Sequence, residues 1–192
     1  VALSRVRSMR LFTGIDLPAA LRARLEAFLA GLRPCARLQW SRPENLHITT
    51  RFIGEWPEDR LSEIVGALRT LPAREPFSVR VRGFGWFPNE RAPRVFWAGI
   101  EAPPALAVLA RDTDRALVSA GLEPEGRSFS PHLTLARIKD PASVDGLRPA
   151  LARIETPEFG EFPVDRCCLF LSERGPSGAV YTKLDEFPFH MT

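Results

Sequence analysis

Read against itself at an offset of 85 residues, the chain repeats, and this repetition restricts its fold more than any other feature. Pro18 precedes His47 by 29 positions and Pro103 precedes His132 by the same 29. At the 85-residue offset Gly14 meets Gly99, Ile15 meets Ile100, Asp16 meets Glu101, Leu21 meets Leu106 and Phe77 meets Phe162. The first copy opens with "RLFTGIDLP", an apolar, β-favouring run that reads as a strand. A helix follows, with Pro18 suited to its first turn and Leu21, Leu25, Phe28, Leu29 and Leu32 on one face. "RPENLHITTRFIG" reads as loop into strand closed by Gly54, "PEDRLSEIVGALRTL" as a second helix, and "FSVRVRGFGWFP" as a strand with arginine on its solvent face. The second copy runs in the same order: "VFWAGIEAP", a helix ending at Gly121, "FSPHLTLARI", a short helix, the single strand "FGEFPVDRCCLFLSE", and a closing strand "AVYTKLDEFPF".

Two copies of a strand–helix–strand–helix–strand unit, each with an unfinished sheet edge or face, predict an α+β fold. The expected architecture is duplicated and bilobal, with two antiparallel-sheet lobes and flanking helices related by a pseudo-two-fold axis around a central cleft. A single domain would span residues 9–192, its pseudo-repeats covering about 9–93 and 94–192. Residues 1–8 precede Met9, lack the apolar stretch of a secretory signal, and are expected to be an extension outside the fold.

Histidine is scarce, and its placement carries the chemistry. Of three histidines, two stand at equivalent points of the copies, in "HITT" at His47 and "HLTL" at His132. On a strand, residues i and i+2 share a face. His47 therefore projects with Thr49 and His132 with Thr134, while Ile48 and Leu133 turn to the core. A pseudo-two-fold axis brings the two imidazole–hydroxyl pairs face to face. One neutral imidazole can take a proton from water while one imidazolium protonates a leaving oxygen. Threonine hydroxyls can hold phosphate oxygens and stabilise the growing charge. The spacing matches no HExxH helix, and no CxxC or histidine–carboxylate cluster adds metal ligands, so neither a metal nor another cofactor is expected. His190, in the unduplicated "FHMT", reads as a bystander. Arg51 lies four residues after His47, on the same ideal face. Arg137 lies five after His132, so it reaches the site only if a bulge or the strand end turns it. The equivalent of Arg137 in the first copy is Phe52.

Composition narrows the partners. The formal charge of +3 is slight and its cations are nearly all arginine, Lys139 and Lys183 being the only lysines. Arginine suits bidentate phosphate contacts, but so small a surplus fits a phosphorylated small molecule or an RNA end better than long nucleic acid. Arg80, Arg82, Trp86, Phe87 and Arg91 could form a nucleic-acid track. No apolar run approaches the roughly 20 residues needed to cross a bilayer. Cys35, Cys167 and Cys168 are an odd set, two of them adjacent in a strand-like run and so on opposite faces. They read as reduced packing residues of a cytoplasmic protein. A monomer is the default expectation.

"MRLFTGIDLP", "ENLHITTRFIGE", "GFGWFP", "FSPHLTLARIK" and the terminal "YTKL" together resemble the two-histidine phosphoesterase superfamily. More narrowly they are similar to its bacterial and archaeal RNA 2',3'-cyclic phosphodiesterases, also called 2'-5' RNA ligases. The resemblance runs in order from Met9 almost to the C-terminus. It implies a bilobal fold with both HxTx strands lining the cleft, and hydrolysis of a 2',3'-cyclic phosphate to a 2'-phosphate, with 2'-5' joining as the reverse chemistry. By motif match His47 is the proton donor to the 3'-oxygen and His132 the acceptor that activates water. Thr49, Thr134 and Arg137 then hold the phosphate. Thr50 departs from the aliphatic residue usual at that place and should face the core. Two other readings fit the residues: a non-catalytic nucleotide- or RNA-binding module, and a phosphodiesterase acting on small cyclic nucleotides.

Overall fold

The computed structural model describes residues 7–176 and 178–190. Each copy opens as expected, with β1 (Ser8–Asp16) leading to α1 (Ala19–Leu32) and β5 (Val95–Glu101) leading to α3 (Pro104–Ser119). Pro18 occupies the N-cap of α1 with an extended backbone, one place outside the first turn, and Pro104 lies inside the first turn of α3. Leu21, Leu25, Leu29 and Leu32 are buried along α1, the stripe that a 3.6-residue period requires. The strand β1 begins one residue before Met9. Ser8 pairs with Pro57, and the carbonyl of Arg7 accepts from the backbone N–H of Glu58, so the expected extension of residues 1–8 is already engaged by Arg7. The rest of that segment falls outside the described residues.

The remaining elements are β2 (Gln39–Trp40), β3 (His47–Pro57), α2 (Leu61–Leu68), β4 (Phe77–Phe87), β6 (His132–Arg137), α4 (Leu147–Leu151), β7 (Glu158–Val164), β8 (Arg166–Gly175) and β9 (Gly178–Pro188). They form two antiparallel sheets, one ordered β3-β1-β8-β9 and the other β2-β6-β5-β4-β7. The fold is therefore α+β with two sheets, but each sheet mixes the copies. The third strand of each copy crosses over: β4 pairs with β5 of the second copy, and β8 pairs with β1 of the first. The lobes are not the sequence repeats.

One expectation changes as a consequence. "FGEFPVDRCCLFLSE" is not one strand; it breaks at Asp165, with β7 in one sheet and β8 in the other. The offset match of Phe77 with Phe162 marks equivalent places. The strands β4 and β7 are antiparallel neighbours in which Ser78 faces Pro163, and Phe77 faces Val164 as Val79 faces Phe162, the register that a two-fold axis between the strands gives. Gly54 does not end β3. Its φ of +82° belongs to a bulge in which Leu11 faces Gly54 and Phe12 faces Phe52, and the strand continues to Pro57. The helix expected from "PEDRLSEIVGALRTL" is shorter, because Glu58–Arg60 form a 3-10 turn ahead of Leu61.

The helices follow the exchange. The α1 leucines pack with Val79, Val81, Phe96 and Leu133 of the five-stranded sheet. Ile64 and Leu68 of α2, with Leu117 of α3, pack with Leu11, Trp56 and Leu169 of the four-stranded sheet. Each such buried leucine contributes roughly 1.5–3 kcal/mol. Cys167 and Cys168 are buried in separate clusters on the two faces of β8, as adjacent strand residues must be. Among the described residues no helix is long and apolar enough to cross a membrane.

Candidate active site

His47 is the first residue of β3 and His132 the first of β6, so each imidazole sits where a loop enters a strand. Both are fixed in the same way. The Nδ1–H of His47 donates to the carbonyl of Asn45 at 2.6 Å, and that of His132 donates to the carbonyl of Ser130 at 2.7 Å. Each ring thus commits Nδ1 to a backbone acceptor two residues upstream and leaves Nε2 as the nitrogen that exchanges a proton. The Nε2 of His47 lies 2.9 Å from the Thr49 hydroxyl.

His47, Thr49, His132, Thr134 and Arg137 all line one cavity of about 290 Å³ between the sheets. The five residues expected from the sequence therefore meet. Arg137 arrives there because β6 carries a bulge: Phe96 faces Ala136 while Trp97 faces Thr134, leaving Leu135 as the extra residue. Leu135 and Ala136 are both buried, and the shifted alternation returns Arg137 to the side of His132. The first copy has its bulge at the equivalent place. Thr13 faces Arg51 and Gly14 faces Thr49, so Thr50 is the extra residue.

That bulge removes Arg51 from the site. The Nε of Arg51 donates to Asp114 at 2.6 Å, and one terminal nitrogen donates to the Phe52 carbonyl at 2.7 Å and meets Glu125 at 3.4 Å. Arg51 ties β3 to α3 and the following loop, and Phe52 takes the cleft position instead. Thr50 faces the core, where its hydroxyl is 2.8 Å from that of Thr13. Of the expected nucleic-acid track only Phe87 enters the cleft. Arg80 pairs with Glu161 at 3.5 Å, Arg82 with Glu158 at 2.6 Å, and Trp86 packs on Phe96. Arg91 sits in a turn capped by Asn89. His190 stands apart, its carbonyl accepting from the backbone of Arg74.

Aromatic rings shape the electrostatics. Phe12 lies 4.6 Å from the His47 ring and Tyr181 meets it edge-on at 5.2 Å, while Phe87 meets His132 edge-on at 4.9 Å. Burial pushes the His47 pKa down to about 4, against the pull of the Asn45 carbonyl, and His132 and Arg137 push it the same way. Burial also lowers the His132 pKa, with Arg137 adding to it. Both rings are thus held neutral in a cleft that carries Arg42, Arg127 and Arg137. Such a site calls for an anion. Lys183 of the terminal "YTKL" lies 3.0 Å from Asp16, which faces His47 across β1 and β3. Tyr181 of the same string lines the cleft, a role that sequence alone did not single out. Its only signal is that string. Among the described residues no three His, Cys, Asp or Glu side chains gather as metal ligands would.

The model of the LigT-like phosphoesterase family matches residues 15–97 and again 100–181, one match per copy. The RNA 2',3'-cyclic phosphodiesterase of Methanothermobacter thermautotrophicus is 36% identical over 181 residues, covering 93% of this chain and 98% of that protein. A protein of the same name from Thermus thermophilus is 37% identical, covering 93% and 89%. A crystal structure of a Thermus thermophilus protein superposes with a TM-score of 0.80 at 34% identity, covering 95% and 99%. Escherichia coli LigT complexed with 3'-AMP superposes with a TM-score of 0.76 at 26% identity, again covering 95% and 99%.

Proposed function

The chain belongs to the LigT-like phosphoesterase family, and from that premise we propose that it is an RNA 2',3'-cyclic phosphodiesterase that opens the ring to a 2'-phosphate. The observation that carries the reading is the pair of imidazoles, each locked through Nδ1 and turned through Nε2 into one arginine-bearing cavity. In the proposed reaction the cyclic phosphate rests against Thr49, Thr134 and Arg137. A water oxygen attacks phosphorus and passes its proton to Nε2 of His132. The bond from phosphorus to the 3'-oxygen breaks, and that oxygen takes the proton held on Nε2 of His47. A free 3'-hydroxyl and a 2'-phosphate result. Arg137 and the threonine hydroxyls stabilise the charge gathering on the phosphoryl oxygens.

The depressed pKa of His47 leaves the free ring without a proton to give, so its role as acid requires the bound anion to raise that pKa. A ring in low-dielectric surroundings is hard to protonate alone, and the same surroundings strengthen its attraction to a nearby phosphate. The repeats, about 9–93 and 94–192, act in this reading as one domain, since each contributes one histidine. A monomer suffices for it, and three unpaired cysteines favour a reducing, cytoplasmic setting.

The test is the end group. RNA ending in 2',3'-cyclic phosphate is incubated with the protein in EDTA, and the product is identified by mass and by phosphomonoesterase sensitivity. A 2'-phosphate beside a free 3'-hydroxyl is expected. A 3'-phosphate product, or an untouched ring, would refute the assignment.

A further inference from the structure

The cavity that holds both histidines is not the largest space in the cleft. A second chamber of about 510 Å³ adjoins it, sharing Thr49, Phe52, Phe87, Arg127 and His132 with the first. His47 does not line it. The chamber extends from the bulge of β3 to α3 and the 125–130 loop. A water nucleophile occupies only about 30 Å³, so hydrolysis alone gives no reason for this volume.

The lining has the chemistry of a nucleotide site. Phe52, Phe87 and Phe129 supply aromatic faces, and Phe52 is 45% exposed, a large ring left in solvent at the junction of the two chambers. Arg51 is neutralised by Asp114 and Glu125. Arg111 and Arg127, whose side chains are 58% and 80% exposed, hold only surface ion pairs, with Asp112 at 4.0 Å and Glu125 at 3.2 Å, which are weak enough in water for a phosphate to compete. Ser128 and Ser130 add hydroxyls. Aromatic faces beside exposed arginine are how proteins hold single-stranded nucleic acid without reading its sequence.

We propose that this chamber binds the nucleotide next in the chain to the one bearing the cyclic phosphate, with its base on the phenylalanines and its phosphate toward Arg111. The inference rests on the cyclic phosphodiesterase reading and deepens it: the substrate is an oligonucleotide end, and a cyclic mononucleotide fills only the smaller cavity. The terminal base stays in the catalytic cavity between Tyr181 and Trp40. Phe129 and Arg111 touch only the second nucleotide and take no part in the reaction.

The experiment compares kcat/KM for a 2',3'-cyclic mononucleotide and for a dinucleotide ending in the same group. The protein itself should favour the dinucleotide by roughly tenfold or more, the ordinary worth of one stacked base. Phe129→Leu, which keeps the apolar volume, and Arg111→Glu, on the surface, should each remove most of that preference. Both should leave the mononucleotide rate within about twofold. Equal losses on the two substrates would put the terminal base in the chamber and overturn the proposal, as would the absence of any dinucleotide preference. Failure of the unaltered protein to open either ring would instead overturn the reading beneath it.

Discussion

Anion binding should recharge His47, and the size of the effect follows from the site. In the free protein the ring is neutral down to a pH of about 4, chiefly because it is buried. A phosphate monoanion hydrogen-bonded to Nε2 places unit charges about 4 Å apart. At an effective dielectric of about 20 they attract by about 4 kcal/mol, close to three pKa units. The pKa should therefore rise from about 4 to near 7 in the complex. With three histidines in the chain, proton NMR titration of the imidazoles can follow His47 directly, assigned by His47→Gln. Dimethyl phosphate is a suitable probe because it stays a monoanion throughout. Linkage fixes the sign: above about pH 7 affinity is flat, between about 7 and 4 it rises nearly tenfold per unit of falling pH, and below about 4 it levels. The same depressed pKa costs stability in acid. The unfolded chain binds the proton near pH 6.5, so stability present above that pH falls by about 3 kcal/mol as pH drops toward 4. A free-protein His47 titrating near 6.5, or one unmoved by the anion, would refute this electrostatic account.

Two further perturbations probe the scaffold and the roles. A Cβ on Gly14 would stand 2.7 Å from the Ile48 carbonyl, so Gly14→Ala must push β3, and His47 with it, away from β1. Overpacking of this kind costs about 1–3 kcal/mol, to be read by chemical denaturation, with activity falling further than the residual folded fraction explains. If His47 is the acid, its alanine variant should be rescued on a substrate whose 3'-bridging oxygen is sulfur, a leaving group that needs no proton. His132→Ala should gain nothing from that substrate, and the opposite pattern would exchange the two roles.

Periodicity made the local elements and the paired motifs legible. The α1 stripe from Leu21 to Leu32 and the shared faces of His47 with Thr49 and His132 with Thr134 follow from spacings of about 3.6 and 2 residues. Strand exchange was not legible, because pairing is non-local and two matched copies look alike whether β4 completes its own sheet or the other. The bulges were visible only as failures of alternation. Arg137 sat at the wrong parity, and Thr50 put a hydroxyl at a core position, where it meets Thr13. One extra residue in each strand accounts for both, and it also removes Arg51 and admits Phe52. Tyr181 and Phe129 reach the cleft through tertiary placement, which no spacing in the chain encodes.

The central claim is that two histidines, one from each copy, share the chemistry. Single-turnover opening of RNA 2',3'-cyclic phosphate in EDTA, by the unaltered protein and by His47→Ala and His132→Ala, tests it most directly. Each variant should lose about 10²-fold or more while retaining its fold by circular dichroism. Full turnover surviving either substitution would contradict the account.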